Sequence, residues 1–242
     1  MLKGLLVVFP VATFGLGSWQ LYRLRWKLDL NNYREQRTKM DPIEPATFNE
    51  ELIKELDFRP IQLKGTFLHD YEQLLSPRFC EVAKGRREAG YHIITPFKRD
   101  NGEVILVNRG WVPLNMKDPA ARKEGQITKE VTIRGIVNTN HWKPSYFTPD
   151  NDPQNSTWYW IDVPRMSQLL GTKPVVVDVQ SEIPKISLPR GAQTQVHLRN
   201  EHLNYAVTWY SLSFFFTLMA TYVLKKPTRP SFSNTTTRQP RR

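Results

Sequence analysis

Arg199, Asn200, Glu201, His202 and Asn204 run directly into an uncharged stretch, residues 203–224, that stops at Lys225, Lys226 and Pro227. His202, Tyr205, Ala206, Trp209 and Ser213 recur at i, i+3, i+4, i+7 and i+11, so on a helix they share one face. An imidazole above a small residue and flat aromatic rings is what an axial haem-iron ligand needs. Arg23, Arg25 and Arg199 are placed to pair with the propionates of such a group. The ring must be neutral to ligate iron, which its ordinary pKa near ~6.5 permits. The plainer alternative, a histidine that caps or anchors a helix at a membrane surface, stays open beside it.

Other residues that could do chemistry are fewer. Arg109 and Trp111, in the run Val107 to Pro113, read either as an exposed anchor pair for a partner protein or as a strand-to-turn transition in which Gly110 takes a special backbone angle and Arg109 ties down a carboxylate. His69 beside Asp70 and Glu72 is the nearest approach to a metal cluster, and a turn explains it better. His92, His141 and His197 have no metal-ligand spacing, so no metal site is expected. A single cysteine, Cys80, excludes an internal disulfide and any paired-thiolate site for zinc, redox chemistry or copper(I). There is no Gly-x-Ser-x-Gly elbow, no His-Glu-x-x-His and no phosphate-cradling or dinucleotide-binding glycine loop, so no catalytic residue is assigned and no enzyme is expected. Asn155-Ser156-Thr157 matches a glycosylation acceptor, which matters only for a secretory protein.

Elements that would position these groups are legible in outline. Residues 4–22 form a second uncharged run, and both runs carry Trp or Tyr at their ends, as bilayer-spanning helices do. The first ends in Gly17, Ser18, Trp19 and Gln20 rather than a small-residue cleavage site, which argues against a signal peptide. A charged helical continuation follows to residue 39, ended by Asp41-Pro42. Residues 48–56 read as a short helix capped by Thr47 or Asn49. Strand patterns then dominate: 60–68, which could pair with 71–76; 91–98 and 104–112, joined by an Asn101-Gly102 turn; 129–137; 158–162; and 174–179. Residues 164–170 make a turn or two of helix before Gly171. The loop from Phe147 through Pro149, Asn151 and Pro153 to Trp158 and Tyr159 has no interleaved basic residues, so core packing is expected rather than base stacking.

The fold class expected is a membrane protein, two transmembrane α-helices flanking a β-rich soluble domain (antiparallel sheet or barrel, minor α). Its parts are a first span at 1–24, a charged helical connector at 25–58, the β-rich domain at 59–201, a second span at 202–224 and a basic disordered tail at 225–242. Among 242 residues, 34 Lys and Arg oppose 23 Asp and Glu, a net charge of +11. Lys225, Lys226, Arg229, Arg238, Arg241 and Arg242 stand in the tail without an acid and supply more than half of that excess. No basic groove, zinc finger or RNA-binding motif accompanies the charge, so it reads as membrane orientation rather than nucleic-acid binding. The tail stays on the positive-inside face, and two spans return the N-terminus to it. Arg23, Arg25 and Lys27 pull the other way but are fewer and are opposed by acids.

Several blocks in order carry a resemblance: Gly17-x-Trp19-Gln20-x-x-Arg23-x-x-x-Lys27, Ser76-Pro77-Arg78, Thr95-Pro96-Phe97 and Asn108-Arg109-Gly110-Trp111. They continue with Phe147-x-Pro149-x-Asn151-x-Pro153, Trp158-Tyr159-x-x-Asp162 and Arg199-Asn200-Glu201-His202-Leu203-Asn204-Tyr205. Over residues 15–226 the chain resembles the surfeit locus protein 1 family. The resemblance implies an assembly factor or chaperone for cytochrome c oxidase (respiratory complex IV), acting early, around subunit 1 and haem a. It implies a multi-pass protein of the mitochondrial inner membrane, its domain in the intermembrane space and both termini in the matrix, or of the plasma membrane in a bacterium. The expected partners are oxidase subunit 1, other assembly factors and the membrane. The family's haem-associated histidine maps onto His202; the alternative is a scaffold with no haem contact. Mitochondrial members usually open with an Arg-rich, acid-poor transit peptide, whereas this chain opens near the first span. A shortened or alternative start, or a bacterial source, is expected.

Overall fold

The computed structural model describes residues 2–139, 145–183, 187–194 and 196–225, without the side chains of residues 2–5, 182 and 183. Its elements are α1 (Leu2–Thr38), α2 (Glu50–Glu55), β1 (Pro60–Phe67), β2 (Gln73–Ala83), β3 (Arg86–Arg99), β4 (Val104–Pro113), β5 (Val131–Val137), β6 (Thr157–Trp158), α3 (Val163–Leu170), β7 (Val176–Ile183) and α4 (His202–Lys225). Two compact units emerge, one of residues 1–30 and 198–242, the other of residues 31–197.

In the second unit the strand order is β1-β5-β7-β4-β3-β2-β6, and a further β1–β3 pairing closes β1, β5, β7, β4 and β3 into a five-stranded barrel. All neighbours in the ring are antiparallel except β4 and β7. This is a Greek-key barrel of the OB type. Closure satisfies both edges of every ring strand, which an open sheet of this size would leave exposed. The barrel is filled by Ile61, Leu63, Phe67, Phe97, Ile105, Val107, Ile133 and Val177. A second cluster, Leu75, Ile94, Leu106, Trp158, Met166 and Val176, packs α3 and β6 on the outer face of the sheet.

Local chemistry explains the short elements. The Asn49 side chain accepts from Leu52 N at 2.7 Å, and Glu50 and Glu51 occupy the first turn of α2, both favourable at a helix N-terminus. Asp162 caps α3 on Arg165 N, and Gly171 ends it in the left-handed region at φ 65°. The β3–β4 hairpin turns at Gly102, φ 86°, as the Asn-Gly pair requires. One expected pairing is corrected. Residues 60–68 do not pair with 71–76, because β1 is taken by β5 and β3 while β2 lies on the far part of β3. The strand expected at 158–162 is reduced to Thr157–Trp158.

In the first unit α1 packs against α4. Thr13, Gly17 and Gln20 of α1, and Ala206, Ser213 and Ala220 of α4, are buried. Large apolar side chains, among them Val8, Val11, Val207, Phe214, Phe215 and Leu218, are exposed. Small and polar residues inside with apolar residues outside is the arrangement that a lipid surround favours. Among the described residues one helix, α4, is long and apolar enough to cross a membrane. The first apolar run is instead the start of a 37-residue helix that becomes charged from Arg23 onward. The basic tail expected to be disordered lies, beyond Lys225, outside the described residues.

Candidate functional site

The seam between α1 and α4 is built from spacing and small side chains. Gly17 lets the Tyr210 ring approach so closely that a Cβ there would stand 3.0 Å from it. The Tyr210 hydroxyl lies 3.1 Å from Ser18 Oγ, and the ring meets Phe14 edge-on at 5.4 Å. Deeper along the pair, Ser213 Oγ donates to the carbonyl of Pro10 at 2.8 Å. One turn above Gly17, His202 Nδ1 is 2.6 Å from Gln20 Oε1.

That last contact decides the chemistry available at His202. A carboxamide oxygen can only accept, so Nδ1 carries the hydrogen and donates it. The lone pair is then on Nε2, which has no hydrogen-bond partner among the described residues. Metal-binding histidines have this arrangement, one ring nitrogen tied to an oxygen acceptor that fixes tautomer and orientation, the other left as a ligand. Lys27 Nζ donates to the carbonyl of Arg199 at 2.9 Å, joining the same ends of the two helices. Around them Arg23 stacks on Trp26 at 4.2 Å, Arg25 is exposed, and the exposed Arg199 pairs with Glu201 at 3.0 Å. The site therefore offers one oriented imidazole, a small-residue seam and three arginines at the same ends of the two helices.

The expected face of α4 is partly corrected. Ala206 and Ser213 are buried at the seam and His202 is half-buried, but Tyr205 is exposed, and Tyr210 rather than Trp209 packs on Gly17. Gln20 was legible as part of a block but not as the partner of His202. The available signal was that it is the only carboxamide in the first apolar run.

Arg109 and Trp111 are corrected more fully: both are buried, so neither is an exposed anchor. Ile93 pairs with Gly110 and Ile94 with Asn108, which leaves Arg109 unopposed at a β-bulge. Its guanidinium turns to Phe67 at 4.2 Å and donates to the carbonyl of Gly125 at 2.7 Å. Trp111 lies against Gly90 and donates from Nε1 to the carbonyl of Arg78 at 3.2 Å. Gly110, at φ 114°, lets the backbone of Arg190 pair with Trp111. Asn108 donates to the buried Asp178, which Asn138 and Thr194 also hold. The block is a structural joint.

The remaining titratable groups also serve the fold. His69 lies 3.1 Å from Glu72 and 2.9 Å from the carbonyl of Ile127, and Arg122 meets Glu72 at 2.5 Å in a buried pair. Burial alone would push the Glu72 carboxyl up; hydrogen bonds from His69 and Arg122, with the Arg122 charge, override it and hold the group at about 2. His92 is pushed down to about 4 by burial and by the charge of Arg78, against the pull of Asp178. Among the described residues no group of three or more His, Cys, Asp or Glu could hold a metal ion. Cys80 is buried, and His141 lies outside the described residues.

A model of the SURF1 family matches residues 7–214. The chain belongs to the SURF1 family. It is 41% identical over 223 residues to surfeit locus protein 1 of Xenopus tropicalis, which covers 88% of this chain and 72% of that protein. It is 42% identical over 215 residues to a SURF1-like protein of Monosiga brevicollis, covering 86% and 82% of the two chains. To human surfeit locus protein 1 it is 38% identical over 225 residues, covering 88% and 74%. The SURF1 match takes in residues of both the His202–Gln20 seam and the barrel.

Proposed function

We propose that this SURF1-family chain is a non-catalytic assembly factor for cytochrome c oxidase, acting at the stage where haem a meets subunit 1. Family membership supports the general role, and the His202–Gln20 contact carries the specific one. Nδ1 donates to Gln20, so Nε2 points its lone pair away from the bond and is free to ligate iron. When bound, haem a supplies electron-transfer chemistry that belongs to the finished oxidase. The chain's own part is to orient one imidazole between two helices. Arg23, Arg25 and Arg199 hold the propionates, and Gln20 holds the tautomer.

In this reading α1 spans the mitochondrial inner membrane alongside α4. The outward apolar residues of both helices support this, as does the small-residue seam between them. The barrel occupies the intermembrane space and both termini lie in the matrix, the side to which the unopposed tail charges assign the C-terminus. In a bacterium the same topology holds in the plasma membrane. The partners are oxidase subunit 1 and other assembly factors.

Deleting the gene should remove the haem aa3 band from membrane spectra while leaving b and c cytochromes. Protein purified from cells that make haem a should carry a haem spectrum that His202→Ala abolishes and Gln20→Leu weakens. Equal spectra in wild type and His202→Ala discard the ligand role and leave the assembly role standing. Retention of the aa3 band after deletion discards both.

A further inference from the structure

Three of the blocks that carry the family resemblance lie far apart in the chain: Ser76-Pro77-Arg78, Phe147-x-Pro149 and Trp158-Tyr159. They meet at one open cleft of about 370 Å³, lined by Pro77, Arg78, Phe147, Thr148, Pro149 and Tyr159. Beside the cleft the β2–β3 register shifts between Leu75 and Arg78. Bulges re-aim the side chains beside them, and here Arg78 is turned toward the loop that precedes β6.

Among the described residues Arg78 is the one charged side chain lining the cleft, and it is half-buried. Its guanidinium is held by two carbonyls, that of Pro77 at 2.8 Å and that of Tyr159 at 3.2 Å. Among the described residues no carboxylate reaches it. Burial lowers its pKa, yet a guanidinium keeps its proton in proteins, so this is a partly desolvated cation without a counter-charge. Two of its five N–H donors are used and fix its plane; the others remain for a ligand. Phe147, which lines the cleft, is 90% exposed and meets its 93% exposed neighbour Tyr146 edge to face at 5.6 Å. The aromatic loop was expected to pack into the core. Trp158 does, but Phe147 stands in solvent.

We propose that this cleft docks an extended segment of a partner protein, which places one carboxylate on Arg78 and an apolar side chain on Tyr146 and Phe147. A fixed arginine fork favours a carboxylate in a set direction, and arginine with aromatics and proline is the composition of protein-interface anchors. A membrane surface recruits clusters of mobile basic side chains, whereas the described lining of this cleft holds one cation, fixed by two carbonyls. The inference stands apart from the haem reading, since it uses no residue of the α1–α4 seam.

The test uses the full chain in detergent micelles and a fluorescein-labelled hexapeptide with one glutamate between tryptophan and leucine. A twin peptide carries glutamine in place of the glutamate. The acidic peptide should bind about tenfold more tightly than its twin in fluorescence polarisation, as one charge-assisted contact allows. Arg78→Gln should erase that preference, Arg78→Lys should keep part of it, and Phe147→Ser should weaken both peptides alike. Phe147→Ser alters an exposed side chain and spares the fold, so the test survives if Arg78 variants misfold. Equal binding of the twins, no saturable binding of either, or a preference that persists in Arg78→Gln overturns the proposal. So does Arg78-dependent binding to phosphatidylglycerol vesicles with none to the peptides.

Discussion

Glu72 and His92 make the barrel's stability sensitive to acid in two successive, overlapping windows. Both have folded-state pKa values below their ordinary ones, so the unfolded chain takes up the proton first and stability falls as pH falls. For His92 the loss runs from about 6.5 down to about 4, and for Glu72 from about 4.5 down to about 2. The Glu72 window is worth on the order of 3 kcal/mol, since each pKa unit is about 1.4 kcal/mol. Urea melts at stepped pH should show both declines; His92→Asn should flatten the first and Glu72→Gln the second. A curve unchanged in His92→Asn contradicts the assignment. Gly110 makes a prediction of another kind. Any Cβ there would collide with the carbonyl of Arg190, at a positive φ that side chains disfavour. Gly110→Ala should cost roughly 2–3 kcal/mol, read as a lower urea midpoint with an unchanged slope. That Gly110 needs a special angle was legible in the sequence. That Arg109 turns inward was not, because it depends on a bulge that shifts β4 by one residue against β3.

At the scale of elements, the α1–α4 pair depends on how closely two backbones approach. Gly17→Leu should push Tyr210 away and weaken the pairing by about 1–3 kcal/mol, the usual cost of overfilling a packed seam. Thermal denaturation of the full chain in detergent micelles should show a lower midpoint for Gly17→Leu. Gly15, which has nothing within 4 Å of its would-be Cβ, is the control, and equal loss in Gly15→Leu refutes the seam. Helical spacing placed His202, Ala206 and Ser213 on one face correctly. It could not rank Tyr210 above Tyr205, since both lie near the edge of that face and only the partner helix separates them. For strands the limit is similar: alternation located β1 and β2, while their partners came from elsewhere in the chain.

At the scale of the whole molecule, the proposed topology puts the barrel on one side of the membrane and both termini on the other. Alkaline carbonate should leave the chain in the membrane. In mitoplasts, protease should digest the barrel and spare a tag placed after Arg242; a digested tag or an extracted chain contradicts the two-span reading. What the sequence determined alone was local or additive: the apolar stretch of α4, a cap at Thr47 or Asn49, the helix stop at Gly171, the Gly102 turn, the tail charges and the family blocks. Each rests on neighbours within a turn or two, or on simple sums of residue properties. Only the tertiary structure closed the barrel, turned Arg109 and Trp111 into its interior packing, joined Gln20 to His202 and gathered Pro77, Arg78 and Phe147 around one cleft. Those are pairings between distant residues, chosen by competition among many strands and faces of similar pattern. Which pairing wins depends on how the whole chain excludes water and satisfies its buried polar groups, a choice no local stretch of residues contains.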